Sequence, residues 1–158
     1  MKAVLALDLA TKTGWALQYT DGSIVSGVQR FALKHGDSPG MRFVRFRDWL
    51  ETLVSTGCVN IVIYEQPHLR GGPATTVLVG LETHLQSVCA EEFQHGTVEH
   101  TRIQSRQLKL FATGKGNASK DSMLAAARKK WPDQDIIDDN QADALWALEW
   151  ARSEGLCK

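Results

Sequence analysis

The chain has 158 residues, 43% of them hydrophobic and 23% charged, the proportions of an ordinary soluble globular protein with enough length to bury one core. Its 18 basic and 18 acidic residues cancel, which argues against a protein that coats nucleic acid by charge alone. No apolar stretch approaches the roughly 20 residues of a membrane helix. The apolar run after Met1-Lys2 is too short for a signal peptide. Cys58, Cys89 and Cys157 are odd in number and lack C-x-x-C spacing, so they read as reduced thiols of a cytoplasmic protein, with neither a zinc site nor a disulfide frame. A single domain spanning 1–158 is expected.

In chain order, the continuous apolar run at 2–8 predicts a buried strand ending in Asp8. A turn at Gly14 leads to a second strand, Trp15 to Tyr19. Asp21-Gly22 is a hairpin signal, and Ser23 to Phe31 follows as a third, antiparallel strand. After a polar loop at 34–40, apolar residues at 43, 46, 49, 50 and 53 give the helical period of Met41 to Thr56, closed by Gly57. Val59 to Glu65 is a fourth strand, parallel to the first because a helix connects them. Pro73 suits the first turn of a helix reaching about Gln94, and Thr97 to Thr101 makes a fifth strand. Three helices close the chain: Gln104 to Ala112, Ser119 to Trp131 and Asp139 to Arg152. Trp15, Trp49, Trp146 and Trp150 take apolar-periodic positions and are expected in the core or an interface.

Three acids stand out in this order. Asp8 and Glu65 end two neighbouring buried strands, where an α/β protein presents its ligand site. Asp143 lies near the start of the last helix. Acids so placed repel one another unless a cation, a proton or a basic group lies between them. Arg102, Arg106, Lys109, Lys115 and Lys120 form a run without an acid. Acids for a metal, flanked by cations, suit a site that acts on phosphodiesters.

Four segments together resemble the RuvC-type Holliday junction resolvases, especially the compact phage-encoded members. They are Ala6 to Ala16, with an Asp followed by a Gly-led strand; Ile63-Tyr64-Glu65-Gln66; Lys109 and Lys120 across a Gly-rich turn; and Ala142 to Leu148. The resemblance covers nearly the whole chain. It implies a ribonuclease H-like α/β fold, with a mixed five-stranded sheet (three antiparallel strands plus two parallel) flanked by helices. The activity implied is a structure-selective endodeoxyribonuclease for four-way or otherwise branched DNA, acting as a homodimer without a nucleotide cofactor. A phage-encoded member would work in the cytoplasm of a bacterial host.

By the same resemblance, two Mg²⁺ ions, with Mn²⁺ as substitute, would be held by Asp8, Glu65 and Asp143. Many members place an acid or histidine three residues before the helical Asp, where this chain has Asn140. Asp139, four residues before Asp143, shares its helical face. Either could complete the set, and Asp138 or Asp139 could instead cap the helix. Lys109 and Lys120 would act on the scissile phosphate. Lys12, His68, Arg70 and Lys115 are further candidates for DNA contact. His68 sits where some members carry an aromatic wedge, but Pro67 to Gly72 reads instead as a mobile, basic loop beside the metal.

Three other readings compete with this one. A phosphotransferase of the actin and sugar-kinase type needs two such domains and Gly-rich adenosine loops. A non-catalytic DNA-binding module would be hindered by clustered acids. A ribonuclease H-fold nuclease for RNA or RNA–DNA hybrids shares the acids, and the acids alone do not separate it from a resolvase.

Overall fold

The computed structural model describes residues 1–68 and 71–158. Its elements are β1 (Val4–Asp8), β2 (Lys12–Gln18), β3 (Ile24–Arg30), α1 (Met41–Thr56), β4 (Ile61–Glu65), α2 (Gly72–Cys89), β5 (Glu92–Phe93), β6 (Gly96–Thr97), β7 (Glu99–Ile103), α3 (Ser105–Thr113), α4 (Lys120–Lys130) and α5 (Asp139–Ser153). Five strands form one mixed sheet in the order β3-β2-β1-β4-β7, antiparallel from β3 to β1 and parallel from β1 through β4 to β7. This is the sheet expected from the sequence.

The pleat divides the sheet into two cores. Side chains alternate along a strand, so Leu5, Leu7 and Leu9 face α1 and α2 together with Val62 and Tyr64. Val4, Ala6, Ile61 and Ile63 face the other way, against α5 and its neighbours. Continuing that alternation sends Asp8 and Glu65 to the α5 side. The register supports the pairing: Leu7 lies opposite Tyr64 on parallel strands, which leaves Asp8 and Glu65 side by side at their ends.

Three expectations need correction. Gly14 is no turn; it sits inside β2, opposite Asp8. The strand starts at Lys12 because the turn is closed earlier, where buried Thr13 donates its hydroxyl to the Ala10 carbonyl at 2.7 Å. The helix expected to reach Gln94 ends at Cys89, and the remainder folds into the short β5–β6 hairpin. Phe93, four residues after Cys89, packs on the same core from the hairpin instead of from a further helical turn. The last strand of the sheet is Glu99–Ile103, not 97–101, because Thr97 is taken by the hairpin.

Candidate active site

Each of the four acids reaches the site by a local rule. Asp8 and Glu65 end parallel neighbours on the α5 face. Asp139 and Asp143 are one turn apart near the start of α5. That helix lies close on the sheet because its inner positions are small: Ala142, Ala144, Ala147 and Ala151 are at most 1% exposed. The approach is tightest at Gly14. A Cβ built there would stand 1.9 Å from the Asn140 carbonyl oxygen, so the first turn of α5 rests directly on the backbone of β2, beside Asp8.

The result is a cavity of about 330 Å³ at the C-terminal rim of β1 and β4, lined by Asp8, Glu65, Asp139, Asn140, Asp143, Lys109 and Lys120, with Leu9, Ala10, Gln66, Pro67, His68, Leu78 and Ser105. Lys109 comes from α3. Lys120 opens α4, where a cation opposes the helix dipole; its Nζ lies 2.8 Å from Asp139 Oδ2. Ser119 caps α4 by accepting from the Ser122 N–H at 3.1 Å.

The electrostatics are those of crowded carboxylates. Burial, then Glu65, Asp143 and Asp139, raise the Asp8 carboxyl well above its ordinary range, with Lys120 opposing. Burial, then Glu65 and Asp139, push Asp143 up to about 7, against Lys109 and Lys120. Lys120 is itself raised, by its hydrogen bond and charge pairing with Asp139 and then by Asp8 and Asp143. Asp143 Oδ1 is buried without a hydrogen-bond partner among the described residues. An orphaned carboxylate oxygen among further acids is the donor chemistry a hard divalent cation requires. Among the described residues no three or more His, Cys, Asp or Glu side chains form a ready-made metal cage. A cage is not needed for Mg²⁺, which keeps several waters and takes one or two carboxylates. The residues therefore fit such an ion.

Other candidates fall elsewhere. Asp138, not Asp139, caps α5, accepting from the Gln141 N–H at 3.0 Å. Lys12 is ion-paired to Asp138 and does not line the cavity. Lys115 is exposed in the turn between α3 and α4. His68 lines the cavity, its Nε2 4.0 Å from Glu65 Oε1. Arg70 lies outside the described residues. Ser105 and Gln66 were not singled out as site residues, although the signal existed: Gln66 follows Glu65, and Ser105 precedes Lys109 by one helical turn.

No model of a known protein family matches this chain, and no curated protein sequence matches it. Solved structures of the same fold do. The structure of Thermus thermophilus RuvC is 16% identical with a TM-score of 0.72, over 97% of this chain and 96% of that one. T. thermophilus RuvC in complex with a Holliday junction substrate gives 14% and 0.75, over 98% and 97%. The yeast mitochondrial Holliday junction resolvase Ydc2 gives 15% and 0.58, over 99% and 83%. The fold expected from the sequence, that of RuvC and the ribonuclease H-like proteins, is the fold of this chain.

Proposed function

We propose that the chain is a divalent-metal-dependent endonuclease that resolves four-way DNA junctions. The observation that carries the reading is the convergence of Asp8, Glu65, Asp139 and Asp143 with Lys109 and Lys120 on one rim cavity. The likeness to RuvC, to Ydc2 and to a fowlpox virus resolvase solved with Holliday junction DNA supports the substrate class.

In this reading Asp8, Glu65 and Asp143, with Asp139 or Asn140, hold Mg²⁺ or Mn²⁺. When bound, such ions would supply Lewis acidity and a water of lowered pKa. The chain does the rest. Lys109 and Lys120 neutralise the non-bridging oxygens of the scissile phosphate as charge develops there. Lys120 is held for this by Asp139, which would otherwise face the other acids unpaired. Leu9, Ala10 and Leu78 wall the cavity with apolar surface, which lowers the local dielectric and strengthens those charge contacts.

Paired incisions need two sites related by a two-fold axis, and α2 is the surface we assign to the dimer. Glu82 is the one Asp, Glu, Lys or Arg in its eighteen residues. Its outer side carries Ala74, Thr76, Thr83 and Val79, the last 42% exposed, and Val44 of the adjoining α1 is 48% exposed. Light scattering should give twice the 17.5 kDa chain; a monomer that still makes paired cuts contradicts this assignment.

The test of function is cleavage of four-way junctions, forks, flaps, duplex, RNA and RNA–DNA hybrids side by side, with and without EDTA. Junction cleavage that needs a divalent cation and is lost in Asp8→Asn, with junction binding kept, is the expected result. Preferred cleavage of the hybrid would move the chain to the RNA-directed class, and full activity of Asp8→Asn or in excess EDTA would overturn the reading.

A further inference from the structure

A second cavity, of about 400 Å³, opens beside the first and is lined by Gln66, Pro67, His68, Gln104, Ser105 and Arg106. It shares Gln66, Pro67, His68 and Ser105 with the acidic cavity, so the two are continuous. Their chemistry is opposite. Among the described residues no carboxylate lines the second cavity; its polar groups are two amides, an imidazole, a hydroxyl and a guanidinium.

Three features turn this space into an anion site. The N-terminus of the nine-residue helix α3 opens into it, and that helix has no side-chain cap. Leu108 is the first residue of α3 whose N–H closes a helical bond, to the Gln104 carbonyl. The N–H groups of Ser105, Arg106 and Gln107 are therefore left at the positive end of the helix dipole. Ser105 is the second feature. It is 7% exposed, lines both cavities, and makes no side-chain hydrogen bond among the described residues. Its hydroxyl faces the cavity and has no protein partner among the described residues, so it can donate to an anion there. The third is Arg106, whose stem lies over Gly116: a Cβ there would meet Arg106 Cγ at 2.8 Å and Nε at 3.1 Å. The turn between α3 and α4 thus packs against this arginine and restricts its side chain beside the helix end.

We infer that the N-terminus of α3, with Ser105 and Arg106, binds a phosphate of the nucleic-acid strand adjacent to the scissile phosphate. The inference rests on the nuclease reading for the source of the phosphate, but not for the site itself. The continuity of the cavities sets its role: Ser105 lies one turn before Lys109, so a phosphate on α3 fixes the register in which its neighbour enters the acidic cavity. Ser105 and Arg106 are positioning residues on this account.

The test has two arms, both on the full chain. In the first, inorganic phosphate is titrated without divalent cation into isotope-labelled protein. The amides of Ser105, Arg106 and Gln107 should shift saturably, and Arg106→Ala should weaken the apparent affinity about tenfold. Arg106→Lys keeps the charge and should restore part of it, which separates recognition from lost packing on Gly116. In the second arm, junctions carry a single neutral methylphosphonate at each position flanking the cut. One position should slow single-turnover cleavage by the wild type about tenfold and leave Arg106→Ala no slower than it already is. No saturable amide shift at tens of millimolar phosphate overturns the site. Equal sensitivity of the wild type and Arg106→Ala at every position overturns its role on the strand. Amide shifts in a protein that cleaves no junction would keep the site and discard the nuclease reading.

Discussion

Asp143 sits where burial, Glu65 and Asp139 all disfavour its charge, and its pKa of about 7 has a consequence for stability. A carboxyl raised above its unfolded value, 3.8, binds its proton more tightly in the folded chain. Its charged form penalises the native state at high pH; the penalty is relieved as pH falls through about 7 and is gone below the unfolded value. Without divalent cation, the melting temperature should therefore rise as pH is lowered from about 8 towards 6. Asp143→Asn should raise stability at pH 8 by on the order of 1–3 kcal/mol and flatten that dependence, as read by thermal melts across pH. An unchanged slope would mean that the penalty lies elsewhere. The lysines answer to a different assay. Removing a cation that meets the scissile phosphate should cost about 3 kcal/mol of transition-state stabilisation, on the order of a hundredfold in rate. Lys109→Ala and Lys120→Ala should show that loss in single-turnover junction cleavage. Lys120→Ala, which leaves Asp139 unpaired beside the other acids, should also lower stability without divalent cation. Loss of a solvated lysine would change stability by less than about 0.5 kcal/mol and leave the rate alone. Normal rates in both would leave the basic run as a solvated face.

At the scale of elements, the site depends on how closely α5 approaches β2. Gly14 permits the contact, and its missing side chain is what lets Asp139 and Asp143 stand beside Asp8. Gly14→Ala must push two stretches of backbone apart, at a cost of about 1–3 kcal/mol. The displaced helix should lose affinity for Mn²⁺ in a calorimetric titration by more than the fold loses stability. A variant with wild-type Mn²⁺ affinity would show that α5 need not sit so close. Asp138 offers the contrast. It caps the same helix but faces Lys12, outside the cavity. Asp138→Ala should cost about 1 kcal/mol, the loss of a cap, with cation affinity kept.

For the whole molecule, the proposed cation site would link binding to folding, since the acids that repel in the native state are assembled only there. Mg²⁺ or Mn²⁺ at a hundred times its dissociation constant should stabilise the wild type by about 2.7 kcal/mol. The same addition should do little for Asp8→Asn. A melting temperature indifferent to both ions in the wild type would remove the cation from the account. No helix among the described residues is long and apolar enough to cross a membrane.

The sequence was enough to place the five sheet strands and the five helices in order: continuous apolar runs mark β1 and β4, which are buried on both faces, and a 3.6-residue period marks α1. The apolar runs likewise put Asp8 and Glu65 at the ends of neighbouring strands, and the i, i+4 spacing put Asp139 and Asp143 on one side of a helix. Tertiary structure decided what no local pattern carries. Gly14 looks like a turn residue until Asn140, 126 positions later in the chain, is seen resting on it. Asp138 and Asp139 were both candidate caps until the fold set Asp138 on the Gln141 N–H and turned Asp139 into the cavity beside Lys120, distant in sequence. Ser105 and Arg106 are unremarkable in a basic run, and gain meaning only from the cavity at the end of α3. Local spacing fixes which face a side chain takes; what stands opposite that face is set by chain segments that only folding brings together.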